Sequence, residues 1–169
     1  MKLTNKLSLS GLFVALGFIL SAFSIPLGFA KAFPIQHLIN MLSGLLLGPL
    51  YSVSIAFLIS LLRNLSGTGS LFAFPGSMIG ALLAGIVARK MIHSKYRLLS
   101  TSLAELFGTG IIGALLCYPI SLLILKSQMA VFGLVIPFVV SSLVGNVLAF
   151  LFASLLLPIL VKSSKPYDL

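Results

Sequence analysis

Apolar positions run along the chain in long blocks, broken at intervals by prolines, glycine clusters and basic residues. Several blocks reach the roughly 20 residues needed to span about 30 Å of hydrocarbon. The pattern predicts an all-α integral membrane bundle of six transmembrane helices: about Leu9 to Phe29, Ile35 to Gly48, Pro49 to Arg63, Pro75 to Ile92, Leu98 to Leu125, and Val131 to Val161. No long linker, low-complexity tract or extramembrane segment interrupts it, so residues 1–169 read as one transmembrane domain.

The second and third helices are short, each roughly 15 residues or about 22 Å long. A single span from Leu38 to Leu62, kinked at Gly48 and Pro49, is the alternative. Charge decides between them. With the amino terminus inside, six spans place Lys2, Lys6, Arg89, Lys90, Lys95, Arg97, Lys162 and Lys165 in the cytoplasm and leave Lys31, Arg63 and Lys126 outside. Five spans would put the Arg89, Lys90, Lys95 and Arg97 cluster outside, against the positive-inside rule. Six spans with both termini cytoplasmic is the expectation.

Composition supports a membrane solvent. Hydrophobic residues make up 59% of the chain and charged ones 8%, and the mean hydropathy is +1.21. A soluble domain carries far more charge. The net charge of +9 is not a nucleic-acid footprint, because the basic residues sit mainly at helix ends rather than along an exposed stripe. Cys117 is the single cysteine and lies in an apolar block, so neither an intrachain disulfide nor a cysteine-based zinc site can form. Lys2 and Lys6 before an apolar run resemble a signal peptide; with no clear cleavage site before Pro26, that run reads as a retained first helix. Small residues recur at helical spacing, at Gly11 and Ala15, Gly44 and Gly48, and Gly76, Gly80 and Ala84. Such spacing lets helix backbones approach closely in lipid.

Polar residues in so apolar a chain are costly, and their placement carries information. They gather in two segments, one around Gln36, His37 and Asn40 and one running from Arg63 to Ser77. The charge-derived topology puts both at the outer face, where a concave site would open outward. Gln36 and Asn40 share a helix face, with His37 one step round. Their amides and a largely neutral imidazole suit a small neutral or weakly basic heterocycle; capping the second helix is the plainer role. In the second segment Asn64 and Thr68 offer hydrogen bonds, Phe72 and Phe74 could stack on an aromatic ring, and Ser77 lies in the first turn of a helix begun by Pro75. A loop that merely closes the bundle is the alternative.

Glu105 is the only acid besides Asp168 and is embedded in the fifth helix. A lone membrane carboxylate needs a partner, and Arg63 is a candidate. Ligand contact, a structural ion pair and proton coupling all remain open for it. Tyr118 and Asn146 fit a helix–helix hydrogen bond as well as a ligand contact. No GxxxxGK[ST] or GxSxG motif occurs, and two acids leave no paired-carboxylate metal site. An enzyme is not expected, and neither is a cofactor.

The runs PIQHLINMLSGLLLGP, LLRNLSGTGSLFAFPGSMIGALLAG and AELFGTGIIGA resemble the thiazole-type (ThiW-type) substrate-binding S components of energy-coupling factor (ECF) transporters, across nearly the whole chain. The resemblance implies a multi-pass vitamin-uptake subunit of a bacterial or archaeal cytoplasmic membrane. Such subunits capture substrate outside, then join a transmembrane coupling protein and two ATPase subunits. It implies hydroxyethylthiazole, the thiazole precursor of thiamine, as the small-molecule cargo. It also implies a partner contact on the first helix, where related subunits often carry two alanines four apart and this chain has Gly11 and Ala15. Two other readings compete: a self-sufficient proton-coupled carrier using Glu105, and a membrane scaffold assembled through glycine-rich faces.

Overall fold

In the computed structural model, residues 2–27, 30–124, 126 and 131–163 are described. Helix α1 (Leu3–Leu20) leads into a hairpin of β1 (Ile25–Leu27) and β2 (Ala30–Ala32), then α2 (Pro34–Leu47), α3 (Pro49–Leu65) and α4 (Ala73–Lys90). Next come α5 (Arg97–Phe107), a π-helical stretch (Gly108–Gly113) and α6 (Ala114–Leu123), which together form one rod of 27 residues, and finally α7 (Val131–Ser163). Counting that rod once gives six helical rods among the described residues.

Three of them are long and apolar enough to cross a membrane by length and composition: Leu3–Leu20, Arg97–Leu123 and the Val135–Leu155 part of α7. Helices α2 and α3 are apolar but shorter. The all-helical expectation therefore holds, with a two-stranded hairpin added.

Local chemistry explains the boundaries. The first helix ends at Leu20, well short of Phe29: Ser21 folds its hydroxyl back onto the Phe18 carbonyl at 2.6 Å and the chain turns. Pro26 then cannot donate a backbone hydrogen bond and holds Ile25 extended, which suits a hairpin pairing Ile25 with Ala32 and Pro26 with Lys31. Phe29 and Leu125, the expected ends of the first and fifth spans, lie outside the described residues, as do Lys165 and Asp168.

Gly48 separates α2 from α3. Its φ of 85° is a left-handed value that favours glycine, a side chain there would strike the Arg89 guanidinium, and Pro49 opens α3 with its φ already helical. The two are distinct helices rather than one kinked span. Helix α4 starts two residues before Pro75, which is tolerated because first-turn amides have no intrahelical partner.

The core sits around α2. It packs against α3, α4, α5 and α7, and residues on every side of it, polar ones included, are buried. Helix α1 by contrast buries only Phe13 and Gly17. Helix α4 meets the Arg97–Leu123 rod through glycines: a Cβ at Gly113 would lie 2.7 Å from the Gly76 Cα, and one at Gly108 2.9 Å from the Gly80 Cα. This backbone-to-backbone approach is the small-residue packing expected of Gly76 and Gly80.

Candidate functional site

The rods alternate in direction, so the end of α1, the start of α2, the end of α3 and the starts of α4 and α7 meet at one end of the bundle. A cavity of about 610 Å³ opens there. Its walls come from Ser21 after α1, Lys31 on β2, Phe33, Gln36 and His37 at the start of α2, and Arg63 on α3. The 67–70 loop, Phe72 and Ser77 on the α4 side, and Pro137, Phe138 and Ser141 on α7 complete it. Volume and mixed lining fall in the ~300–1,000 Å³ class of small-molecule pockets.

Beneath His37 lies a closed polar network centred on Glu105, which is fully buried. Its Oε1 accepts from His37 Nδ1 at 3.0 Å, Asn40 Nδ2 at 3.3 Å and Thr109 Oγ1 at 2.8 Å. Its Oε2 accepts from Ser142 Oγ at 2.5 Å and from Asn146 Nδ2. Helices α2, α5 and α7 and the π-helical stretch are thus tied to one carboxylate. A side chain at Gly80 would collide with Thr109 Oγ1 and approach the carboxylate, so bare α4 backbone closes the fourth side. Because an acceptor faces Nδ1, that nitrogen donates to the carboxylate. His37 lines the cavity, and Nε2 makes no hydrogen bond among the described residues.

Arg63 is the second buried charge, at 2% exposure. Its guanidinium lies 3.8 Å from the centre of the Phe33 ring, donates to Gln36 Oε1, and reaches the Thr68 carbonyl at 3.5 Å. Its Nε finds no partner. Gln36 is itself held by donating to Ser60 Oγ at 3.0 Å and Ser77 Oγ at 2.9 Å. No acidic side chain pairs with Arg63 among the described residues; the carboxylate expected for it is paired with His37 instead. The reason is register: His37, one helical turn from Asn40 on α2, already occupies the face turned toward α5.

Of the residues marked in the sequence, Gln36, His37, Arg63, Thr68, Phe72 and Ser77 line the cavity. Asn40, Glu105 and Asn146 form the network below it. Asn64 closes the loop after α3 by donating to the carbonyls of Ser60 at 2.8 Å and Ser70 at 3.1 Å. Phe74 packs on Phe57, with ring centres 5.7 Å apart, and Tyr118 is half-buried on α6 away from the cavity wall. Phe33, Lys31, Ser141 and Ser142 were not singled out. Only Ser142 had a signal, standing four residues before Asn146 on the same helix face.

Among the described residues no three His, Cys, Asp or Glu side chains cluster as a metal site requires. A family model described as thiamine-precursor transporter protein (ThiW) matches residues 7–158. Comparison with curated proteins and with solved structures gave no match.

Proposed function

Because the chain belongs to the ThiW family of thiamine-precursor transporter proteins, a family of membrane transporters rather than enzymes, we propose that it is the substrate-capturing subunit of an ECF-type importer and that its cargo is hydroxyethylthiazole. The observation that carries this reading is the cavity at one end of the bundle, lined by the Phe33, Phe72 and Phe138 rings, the Gln36 amide and the His37 imidazole. A thiazole ring with a short alcohol is a flat aromatic body with few polar atoms. Phe72 and Phe138 suit the ring, and His37 Nε2 suits the hydroxyl.

Charge orients the proposal. Lys6 lies over the Tyr51 ring at 5.7 Å, Arg89 abuts Gly48, and Arg97 donates to the carbonyls of Ala88 at 2.9 Å and Leu45 at 2.7 Å. These cations gather at the end opposite the cavity. Under the positive-inside rule that end is cytoplasmic, so six crossings of the cell membrane with both termini inside leave the cavity facing outward.

The chain carries no ATP-binding motif, so power comes from partners: a coupling protein in the membrane and two ATPase subunits. Helix α1 is the docking face in this reading. Gly11 and Ala15 are exposed, and nothing lies within 4 Å of a Cβ placed at Gly11.

The test is calorimetry on the purified chain in detergent, paired with uptake in proteoliposomes. The expected result is binding of hydroxyethylthiazole by the chain alone and uptake only with the ATPase subunits present. Binding of thiamine or its pyrimidine precursor with none of the thiazole alcohol would overturn the cargo. Uptake by the chain alone under a pH gradient, abolished in Glu105→Gln, would move the function to a proton-coupled carrier.

A further inference from the structure

The thiazole alcohol leaves one feature of the cavity unused. Arg63 is buried at 2% exposure in its wall, with Nε unpartnered and only two of its five N–H donors engaged. The contact to the Thr68 carbonyl is long, at 3.5 Å. A buried cation is costly unless an anion and hydrogen bonds compensate it, and a neutral amide with one aromatic face compensates in part only. The single described acid cannot help, since both Glu105 oxygens are taken up by five donors in the network below. Lys31 lines the same cavity and adds a second positive charge. At about 610 Å³ the space exceeds what a five-membered ring with a two-carbon alcohol fills.

We infer that this cavity contains an oxyanion subsite formed by Arg63 and Lys31, so that besides the thiazole alcohol it takes, and prefers, a heteroaromatic ring carrying a compact anion such as a phosphate monoester or a carboxylate. The inference rests on the thiazole-capture reading for the ring and on Arg63 for the anion. The guanidinium fork matches two oxygens of either group. Phe33 holds the guanidinium plane from behind at 3.8 Å, and Gln36, fixed by Ser60 and Ser77, sets its rotation. Lys31, exposed on the hairpin, contributes charge at the mouth and speeds capture.

The experiment is calorimetry on the full chain in detergent at low and high salt. The probes are hydroxyethylthiazole, its phosphate monoester, a thiazole carboxylate and inorganic phosphate. At least one anionic thiazole is expected to bind about tenfold or more tightly than the alcohol, the size of one charge-assisted contact. That preference should shrink as salt rises, vanish in Arg63→Gln, and fall severalfold in Lys31→Ala. Should Arg63→Gln fail to fold, the salt series and Lys31→Ala decide, and a preference unchanged in both overturns the subsite. Alcohol binding as tight as both anionic thiazoles overturns the subsite and leaves thiazole capture standing. Arg63-dependent binding of inorganic phosphate without any thiazole does the reverse. No binding by any probe removes both.

Discussion

Among the described residues the molecule buries two charged side chains, Glu105 and Arg63, and it treats them in opposite ways. Glu105 lies at 0% exposure with five donors on its two oxygens, drawn from three segments of the bundle besides its own helix. Arg63, at 2% exposure, has one amide, one distant carbonyl, one aromatic ring and a free Nε. A charge surrounded by its own protein's donors is finished: it fixes helix positions and has no capacity left for a ligand. A charge left half-satisfied in a cavity wall has capacity to spare. The contrast separates a charge whose bonding the fold completes from one whose bonding it leaves open, without appeal to sequence position.

The sharpest way to break that contrast is to remove the finished charge. Glu105→Ala takes the acceptor from His37 Nδ1, Thr109 Oγ1 and Ser142 Oγ in a dry interior, while Asn40 and Asn146 keep their bonds to the Ser77 and Ser142 carbonyls. Loss of one member of such a buried set costs about 3–5 kcal/mol, so the variant should unfold at markedly lower temperature in detergent, read by thermal shift. A melting temperature close to the parent's would mean that the network is ornamental. Next in size is Ser142→Ala, which removes one hydrogen bond to the carboxylate. Bonds to charged groups contribute about 1.5–3 kcal/mol, and the loss should appear in the same assay as a smaller shift.

How much of this was legible beforehand follows from the forces involved. Helix positions were readable because lipid-compatible blocks announce themselves one residue at a time. The hairpin was not, since its strands are three residues each, Ile25–Leu27 continues the apolar run of the helix before it, and only Pro26 hints at extended backbone. The π-helical turn at Gly108–Gly113 was equally hidden; it depends on how closely α4 approaches. At the site, Gln36, His37 and Arg63 stood out because polar residues are rare in this chain. The pairing of Glu105 with His37 rather than Arg63 did not, because it is decided by which face of α2 turns toward α5. Phe33 escaped because one more phenylalanine among 13 carries no signal until a guanidinium is found on its face.

Two smaller effects bear on the unfinished charge. Phe33→Leu keeps the volume apolar but removes the ring against Arg63. A desolvated cation–π contact contributes about 0.5–2 kcal/mol, so a modest fall in melting temperature is expected. Arg63→Met should change stability least of all. It forfeits the bonds to Gln36 and the Thr68 carbonyl, yet it also relieves the cost of holding an uncompensated cation out of water. Replacing buried charge with an apolar side chain of similar size is often neutral or stabilising by about 1–4 kcal/mol. The two terms oppose each other, and the melting temperature should stay near the parent's or rise. The double variant then measures the link directly: with Met at 63, Phe33→Leu should cost less than it does beside Arg63, because the ring no longer has a charge to stabilise. A full additive loss in the double variant, or an Arg63→Met protein as unstable as Glu105→Ala, would show that Arg63 is a finished structural charge like Glu105.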